Sequence, residues 1–224
     1  MIGFRIVERA RKVDPRTVEQ FRDVPVANVS DSMYRLSAGG ARLRPMHGGG
    51  AMAGPALTVK TRPGDNLMVH KALDVAERGD VIVVDAGGDL TNAIIGEIMS
   101  THARQRGIAG IVINGAIRDA DAIRAGSFPV FAAGVTHRGP YKDGPGEINV
   151  PVAIDGMVIE PGDLILGDGD GLLCIPYGQV AAVYELASAK RKVEDRELRA
   201  SGEGKLDRSW VDTRLRQLGC EGLD

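Results

Sequence analysis

Two stretches of this chain are apolar on both faces of an extended backbone, and they leave few ways for it to fold. Val81-Ile82-Val83-Val84 sits between Asp80 and Asp85 and runs into Ala86-Gly87-Gly88. Ile108-Ala109-Gly110-Ile111-Val112-Ile113 follows Gly107 and stops at Asn114-Gly115. Short β-branched runs bounded by turn residues are the pattern of strands covered on both sides. Between them, Glu97 to Arg106 reads as a helix starting at Gly96, with Ile98, Met99 and Ala103 as its apolar stripe and Arg104, Gln105 and Arg106 in water. Strands alternating with helices place the chain in the α/β class.

The chemistry gathers at the ends of these elements. Arg118 and Asp119 lie a few residues past the carboxyl end of the second buried strand, at the rim where open α/β sheets bind ligands. Gly96 and Glu97 open a helix, whose unpaired first-turn amides and dipole attract an anion such as a carboxylate. A cation, a carboxylate and a helix start in one place suit a small acid bound with a metal.

The rest of the chain continues the alternation without an internal repeat. Arg16 to Arg22 and Ser30 to Leu36 read as short helices, the second capped by Ser30; glycines crowd Gly39-Gly40 and Gly48-Gly49-Gly50. Ala56 to Thr61 is a strand, and Asp65 caps a helix reaching Glu77 with Leu67, Val69, Leu73 and Ala76 on its apolar side. Phe128 to Ala132 is a further strand. From Ile148 the pattern turns β-rich, with strands at 150–154, 157–159, 164–166 and 172–175 between Gly, Pro and Asp turns. Gln179 to Leu198 is one amphipathic helix, broken by Ser201-Gly202-Glu203-Gly204. The tail from Asp207 holds the only tryptophan, Trp210, and is too short to pack alone, so it is expected to dock on the body or on a neighbouring subunit. At 224 residues one domain is the expectation, with a helical extension over 179–224.

Charge and cysteine content exclude several classes. Lys plus Arg (28) nearly balance Asp plus Glu (30), and a net charge of −2 gives no electrostatic reason to expect nucleic acid or a membrane as partner. The first nine residues carry charges where a signal peptide needs an apolar core, and no later run approaches spanning length, so a cytoplasmic protein is expected. Cys174, in an apolar strand, and Cys220, in the tail, offer neither a disulfide framework nor a thiolate metal cage. His47, His70, His102 and His137 lack paired metal spacing; His70 and His102 are expected in packing or interface roles. Asp168 and Asp170 lack the spacing and closing acid of an EF-hand and read as turn formers. Lys60 and Lys71 carry no sign of the desolvation a Schiff-base lysine needs. The glycine-rich segments match neither a dinucleotide fingerprint nor a phosphate-binding loop, which counts against nucleotide enzymes and a methyltransferase.

Three runs together carry a resemblance: Gly79 to Asp85, then Gly96-Glu97, then Gly107 through Ala116-Ile117-Arg118-Asp119, with Gly162-Asp163, Gly167 to Gly171 and Ile175-Pro176 further on. In order, spacing and turn chemistry they resemble the 4-hydroxy-4-methyl-2-oxoglutarate aldolase family, also called regulator of ribonuclease activity A-like, from about Val29 to Pro176. The resemblance implies an αββα sandwich of the swivelling phosphohistidine-domain-like type, assembled as homotrimers or hexamers. It also implies a metal-dependent aldolase that cleaves a 4-hydroxy-2-oxo acid to pyruvate, with oxaloacetate decarboxylase activity. Carried over, the backbone amides of Gly96, Glu97, Ile98 and Met99 bind the pyruvate carboxylate, Arg118 binds substrate, and Asp119 ligates Mg²⁺ or Mn²⁺. Glu97 is the candidate for orienting water or assisting proton transfer.

Non-catalytic members that regulate a ribonuclease resemble this chain but lack the acid after the arginine, so Asp119 favours the enzyme over a protein-binding regulator. Asn114 stands where relatives often carry an acid, and His137 where a proline is common. The family also completes its site with an acid from a neighbouring subunit's C-terminal region, for which Glu194 and Glu197 both remain open.

Overall fold

The computed structural model describes residues 3–36 and 41–223, so Gly39-Gly40 lies outside the described residues. In chain order the elements are β1 (Phe4–Ile6), α1 (Pro15–Gln20), α2 (Val26–Ser32), β2 (Arg44–Pro45), β3 (Met52–Thr61), α3 (Leu67–Val75) and β4 (Val81–Asp85). They continue with β5 (Ala93–Ile95), α4 (Glu97–Gln105), β6 (Gly110–Ile117), α5 (Ala120–Ala125), β7 (Val130–Val135), β8 (Gly146–Ile148) and β9 (Val152–Ile154). The last are β10 (Met157–Ile159), β11 (Leu164–Gly167), β12 (Leu172–Ile175), α6 (Val180–Gly202) and α7 (Ser209–Gln217).

Side-chain alternation along the strands sorts the apolar residues into three cores. Leu57, Val59, Ile82, Val84, Ile111 and Ile113 point to one face of the main sheet and pack against α3, α4 and α5 through Val69, Leu73, Ala103 and Ile123. Their strand neighbours Ala56, Val81, Val83 and Val112 point to the other face and meet Ile154, Met157, Ile165 and Cys174 of β9 to β12. Leu164, Leu166, Leu173 and Ile175 then turn outward onto Val29, Val180, Val183 and Ala187 of α2 and α6. Three cores between four layers make an αββα sandwich. Each fully buried Val or Ile contributes about 1.5–3 kcal/mol, which is why the doubly apolar runs take the centre.

The main sheet runs β1-β8-β3-β4-β6-β7-β2, with parallel pairing through β3, β4, β6 and β7. Strand β3 serves both sheets: Met52 to Pro55 pair antiparallel with β11, and Ala56 to Lys60 pair parallel with β4. The short β5 lies parallel to the far end of β6, pairing Ile95 with Ile117. The N-terminal segment is fastened by a buried ion pair: Arg9 Nη1 and Nη2 each stand 3.0 Å from an oxygen of Asp80, whose side chain is 0% exposed.

Several expectations shift. The second helix starts at Val26 rather than Ser30, because Asp168 Oδ2 accepts the Val26 N–H at 2.9 Å and supplies the cap from across the fold. Asp65 does receive the Leu67 N–H (2.9 Å), but the helix ends at Val75, before Glu77. Ile98 leaves the apolar stripe of α4 and is 80% exposed, whereas Met99 and Ala103 are buried. The tail forms α7 and buries no residue against the body, leaving Trp210 66% exposed. No described helix is long and apolar enough to cross a membrane.

Candidate functional site

Strand β6 ends at Ile117, and at Asp119 the backbone enters the left-handed region (φ 57°) before α5 begins. Such a conformation is uncommon outside glycine, tolerated by Asp, and stored mainly at functional positions. It turns the carboxylate back over the start of α4, where Asp119 Oδ2 accepts the Glu97 N–H at 2.9 Å. The same oxygen stands 3.8 Å from Arg118 Nε, and the Arg118 N–H donates to the Ile95 carbonyl at 3.0 Å. Gly96 is what permits this closeness: a Cβ there would lie 2.3 Å from Asp119 Oδ2 and 2.9 Å from Arg118 Cγ.

The pair opens on a cleft of about 180 Å³. Gly96, Ile98, Met99, Arg118 and Asp119, all expected from the sequence, line it together. Glu97 does not: its N–H is given to Asp119, and the residue lines a neighbouring cleft of about 130 Å³ with Ser100, Arg104 and Ile123. The Ile98 and Met99 amides, in the first turn of α4, donate to no other backbone carbonyl among the described residues.

Three further residues line the cleft: Asn66 and Lys142, not singled out from the sequence, and His70, expected there only in a packing or interface role. Asn66 is 2% exposed; its Nδ2 donates to the Ile94 carbonyl (2.8 Å) while its Oδ1 is buried without a partner among the described residues. Native proteins leave few such atoms, and they mark places worth a functional reading. His70, four residues on and so on the same side of α3, also lines the cleft. Its imidazole is pulled below its usual range, first by partial burial and then by Lys142; His102 adds to the lowering and Asp74 opposes it. Lys142 completes that wall. The only hint in the sequence was the four-residue spacing of Asn66 and His70.

The remaining candidates have structural partners. Asn114 donates to Asp85 Oδ1 (2.9 Å) and accepts from Arg42 Nη2 (3.1 Å), outside the cleft. Glu194 is held within the chain by Lys190, at 3.4 Å, and by the Asn28 amide. Asp168 Oδ1 accepts the Asp170 N–H at 2.9 Å, the turn expected of that loop. His47 is buried and hydrogen-bonded to the Val130 backbone at 3.1 Å. Among the described residues no cluster of three or more His, Cys, Asp or Glu side chains is placed to hold a metal.

The RraA-like family model, described as Aldolase/RraA, matches residues 26–174, which include the whole cleft. The chain belongs to the RraA-like family. It is 45% identical over 182 residues (81% of this chain, 86% of the relative) to a Halalkalibacterium halodurans protein provisionally named 4-hydroxy-4-methyl-2-oxoglutarate aldolase. It is 38% identical over 112 residues (50% of this chain, 68% of the relative) to a Thermus thermophilus protein named 4-hydroxy-4-methyl-2-oxoglutarate aldolase. Among solved structures, it resembles the RNA-processing inhibitor RraA of Thermus thermophilus with a TM-score of 0.63 and 32% identity, covering 69% of this chain and 93% of that one. Relatives named as aldolases place the chain among proteins with lyase names.

Proposed function

We propose that this protein is a divalent-metal-dependent aldolase that cleaves a 4-hydroxy-2-oxo acid, such as 4-hydroxy-4-methyl-2-oxoglutarate, to pyruvate, and that it also decarboxylates oxaloacetate. The observation that carries the reading is the Arg118-Asp119 pair, drawn onto the glycine-led start of α4 beside a cleft sized for a small acid. The donor set fits a hard cation. Asp119 Oδ1 has no hydrogen bond or ion pair among the described residues, and one carboxylate with water suits Mg²⁺ or Mn²⁺, which rarely take an all-protein cage. When bound, that ion supplies Lewis acidity toward the keto oxygen.

The chain's own groups do the rest. The Ile98 and Met99 amides face the substrate carboxylate at the positive end of α4. The Arg118 guanidinium, always charged and fork-shaped, stabilises the negative charge that accumulates as the carbon–carbon bond breaks. In retro-aldol cleavage the C4 hydroxyl loses its proton, the C3–C4 bond breaks, and its electron pair becomes the pyruvate enolate, which takes a proton at C3. The hydroxyl proton passes to a water, and Glu97, which lines the neighbouring cleft, is the candidate for orienting it. Oxaloacetate reaches the same enolate by losing carbon dioxide, so one site serves both reactions.

The reading includes a cytoplasmic homotrimer or hexamer, supported by an α7 that buries nothing against its own body. The deciding assay is pyruvate release by the purified protein. We expect activity that requires Mg²⁺ or Mn²⁺, disappears with EDTA, returns with metal, and is abolished in Asp119→Ala. No pyruvate from any 2-oxo acid tested with metal, or an active Asp119→Ala, overturns it. The likeness to an RNA-processing inhibitor supports a second reading, a non-catalytic protein-binding regulator of a ribonuclease. That reading requires a tight protein partner and no turnover.

A further inference from the structure

The main sheet ends on an edge that no described segment covers. Strand β1 closes the order β1-β8-β3-β4-β6-β7-β2 at one side and pairs only with β8, from Phe4 against Gly146 to Ile6 against Ile148. The next residue keeps to that side: the Val7 N–H donates to the Ile148 carbonyl (3.0 Å), and the Val7 carbonyl accepts from Asn149 Nδ2 (2.9 Å). Backbone groups alternate in direction along a strand, so those of Phe4, Ile6 and Glu8 point the other way, where no described strand lies. Such an edge is a template for another strand, and native proteins blunt theirs with charge or proline. This one is apolar instead, with Phe4 40% and Ile6 50% exposed.

Beside the edge lies a groove of about 450 Å³, walled by Ile6, Val7, Leu57 and Val75 and rimmed by Glu8 and Glu77. Phe4 shares a face with Ile6 and Glu8 and sits at the other end of the strand, its ring edge at Gly144. The charges along the strand say what pairs with it. Outward groups at Phe4, Ile6 and Glu8 match the same edge of a second copy, antiparallel about a twofold axis. An axis at Arg5 would set Arg5 against Arg5, and an axis at Val7 would set Arg5 against Arg9; like charges directly opposite are destabilising. An axis at Ile6 sets Ile6 against Ile6, Arg5 against Val7 and Phe4 against Glu8, with no like charges opposed. Arg5 then keeps its own counter-charge, Glu147, at 2.7 Å. The same register brings the exposed ring of each copy to the mouth of the other's groove.

We propose that two copies of this chain join edge to edge through β1, antiparallel about Ile6, each laying Phe4 over the groove of the other. The contact lies outside the segment that the family model matches, residues 26–174, and does not depend on the aldolase reading. Because it is twofold, it commits the assembly to an even number of copies, and on a threefold unit it gives the hexamer rather than the trimer.

The test is cross-linking in the full chain carrying Cys220→Ser, which leaves the buried Cys174 as the only native thiol. Under mild oxidation Ile6→Cys should link copy to copy, since residues facing each other in such a pair stand about 5.5 Å apart at Cα, within disulfide reach. Phe4→Cys should not, because four residues along the strand, about 13 Å, separate it from its counterpart. Phe4→Cys combined with Glu8→Cys should link again. In the otherwise native chain, light scattering should give an even number of copies, and Phe4→Asp with Ile6→Asp should halve the mass while the far-ultraviolet circular dichroism stays as it was. An odd number of copies, a mass that the paired aspartates leave unmoved, or Phe4→Cys linking as readily as Ile6→Cys overturns the contact. Pyruvate release is read separately, so its absence removes the aldolase reading and leaves this one standing.

Discussion

At Gly96 a single missing methyl group sets how near two backbones come. An added Cβ would fall 2.3 Å from Asp119 Oδ2, so the carboxylate, the arginine or the helix start must move. Gly96→Ala should therefore lower kcat/KM about 100-fold, the size of effect that a displacement near 1 Å has on an aligned site, with little change in the urea midpoint. Cys174 and Cys220 differ just as sharply. Burial, and then the charge and hydrogen bond of Asp163, push the Cys174 thiol far up, whereas Cys220 is exposed. Since the thiolate is the reactive form, a thiol reagent should titrate one cysteine in the native protein and two after unfolding. Two fast native thiols would contradict the buried placement of β12.

Among the helices and strands, the fastening of the N-terminal segment has the largest expected energetic effect. The Arg9 side chain is 8% exposed and makes two 3.0 Å contacts with a fully buried Asp80, which also accepts the Glu77 N–H. Asp80→Ala leaves the Arg9 guanidinium with only the exposed Glu77 carboxylate, 3.3 Å away, as counter-charge and should cost about 3 kcal/mol in urea unfolding. The same two residues replaced together by apolar ones should recover much of that. Helix α2 follows the same principle on a smaller energy: its cap comes from Asp168, 142 residues away, not from the Ser30 that the local sequence offers. Local rules find a cap residue only when it is local.

The assembled chain leaves its C-terminal arm uncovered. Helix α7 buries nothing, and Leu198, Trp210 and Leu218 are each exposed by 65% or more. An amphipathic arm of this kind lies on a second copy if the protein is the proposed trimer or hexamer. Light scattering should then give a mass near a threefold or sixfold multiple of 23.7 kDa. The single tryptophan should emit to the blue of its unfolded value and shift to the red as the assembly is diluted apart. A monomer with water-exposed emission at every concentration would remove the arm from the interface.

The amino-acid pattern by itself determined the doubly buried strands, the α4 helix between them and the Arg118-Asp119 rim, because period-two and helical spacing and glycine stops are local properties of the chain. It also carried the family, through the order and spacing of those same motifs. It did not carry β5, three residues whose strand character comes only from lying beside the end of β6. Nor did it carry Asn66, His70 and Lys142 as one wall, since residues 66 and 142 are brought together by long-range bonds, Asn66 N–H to the Tyr141 carbonyl and the 143–144 turn to the buried Asp65. Only the tertiary structure turned the Glu97 amide to Asp119 while setting the residue itself beside another cleft. Where a side chain points depends on what packs against it, and packing partners distant in sequence leave no local signal.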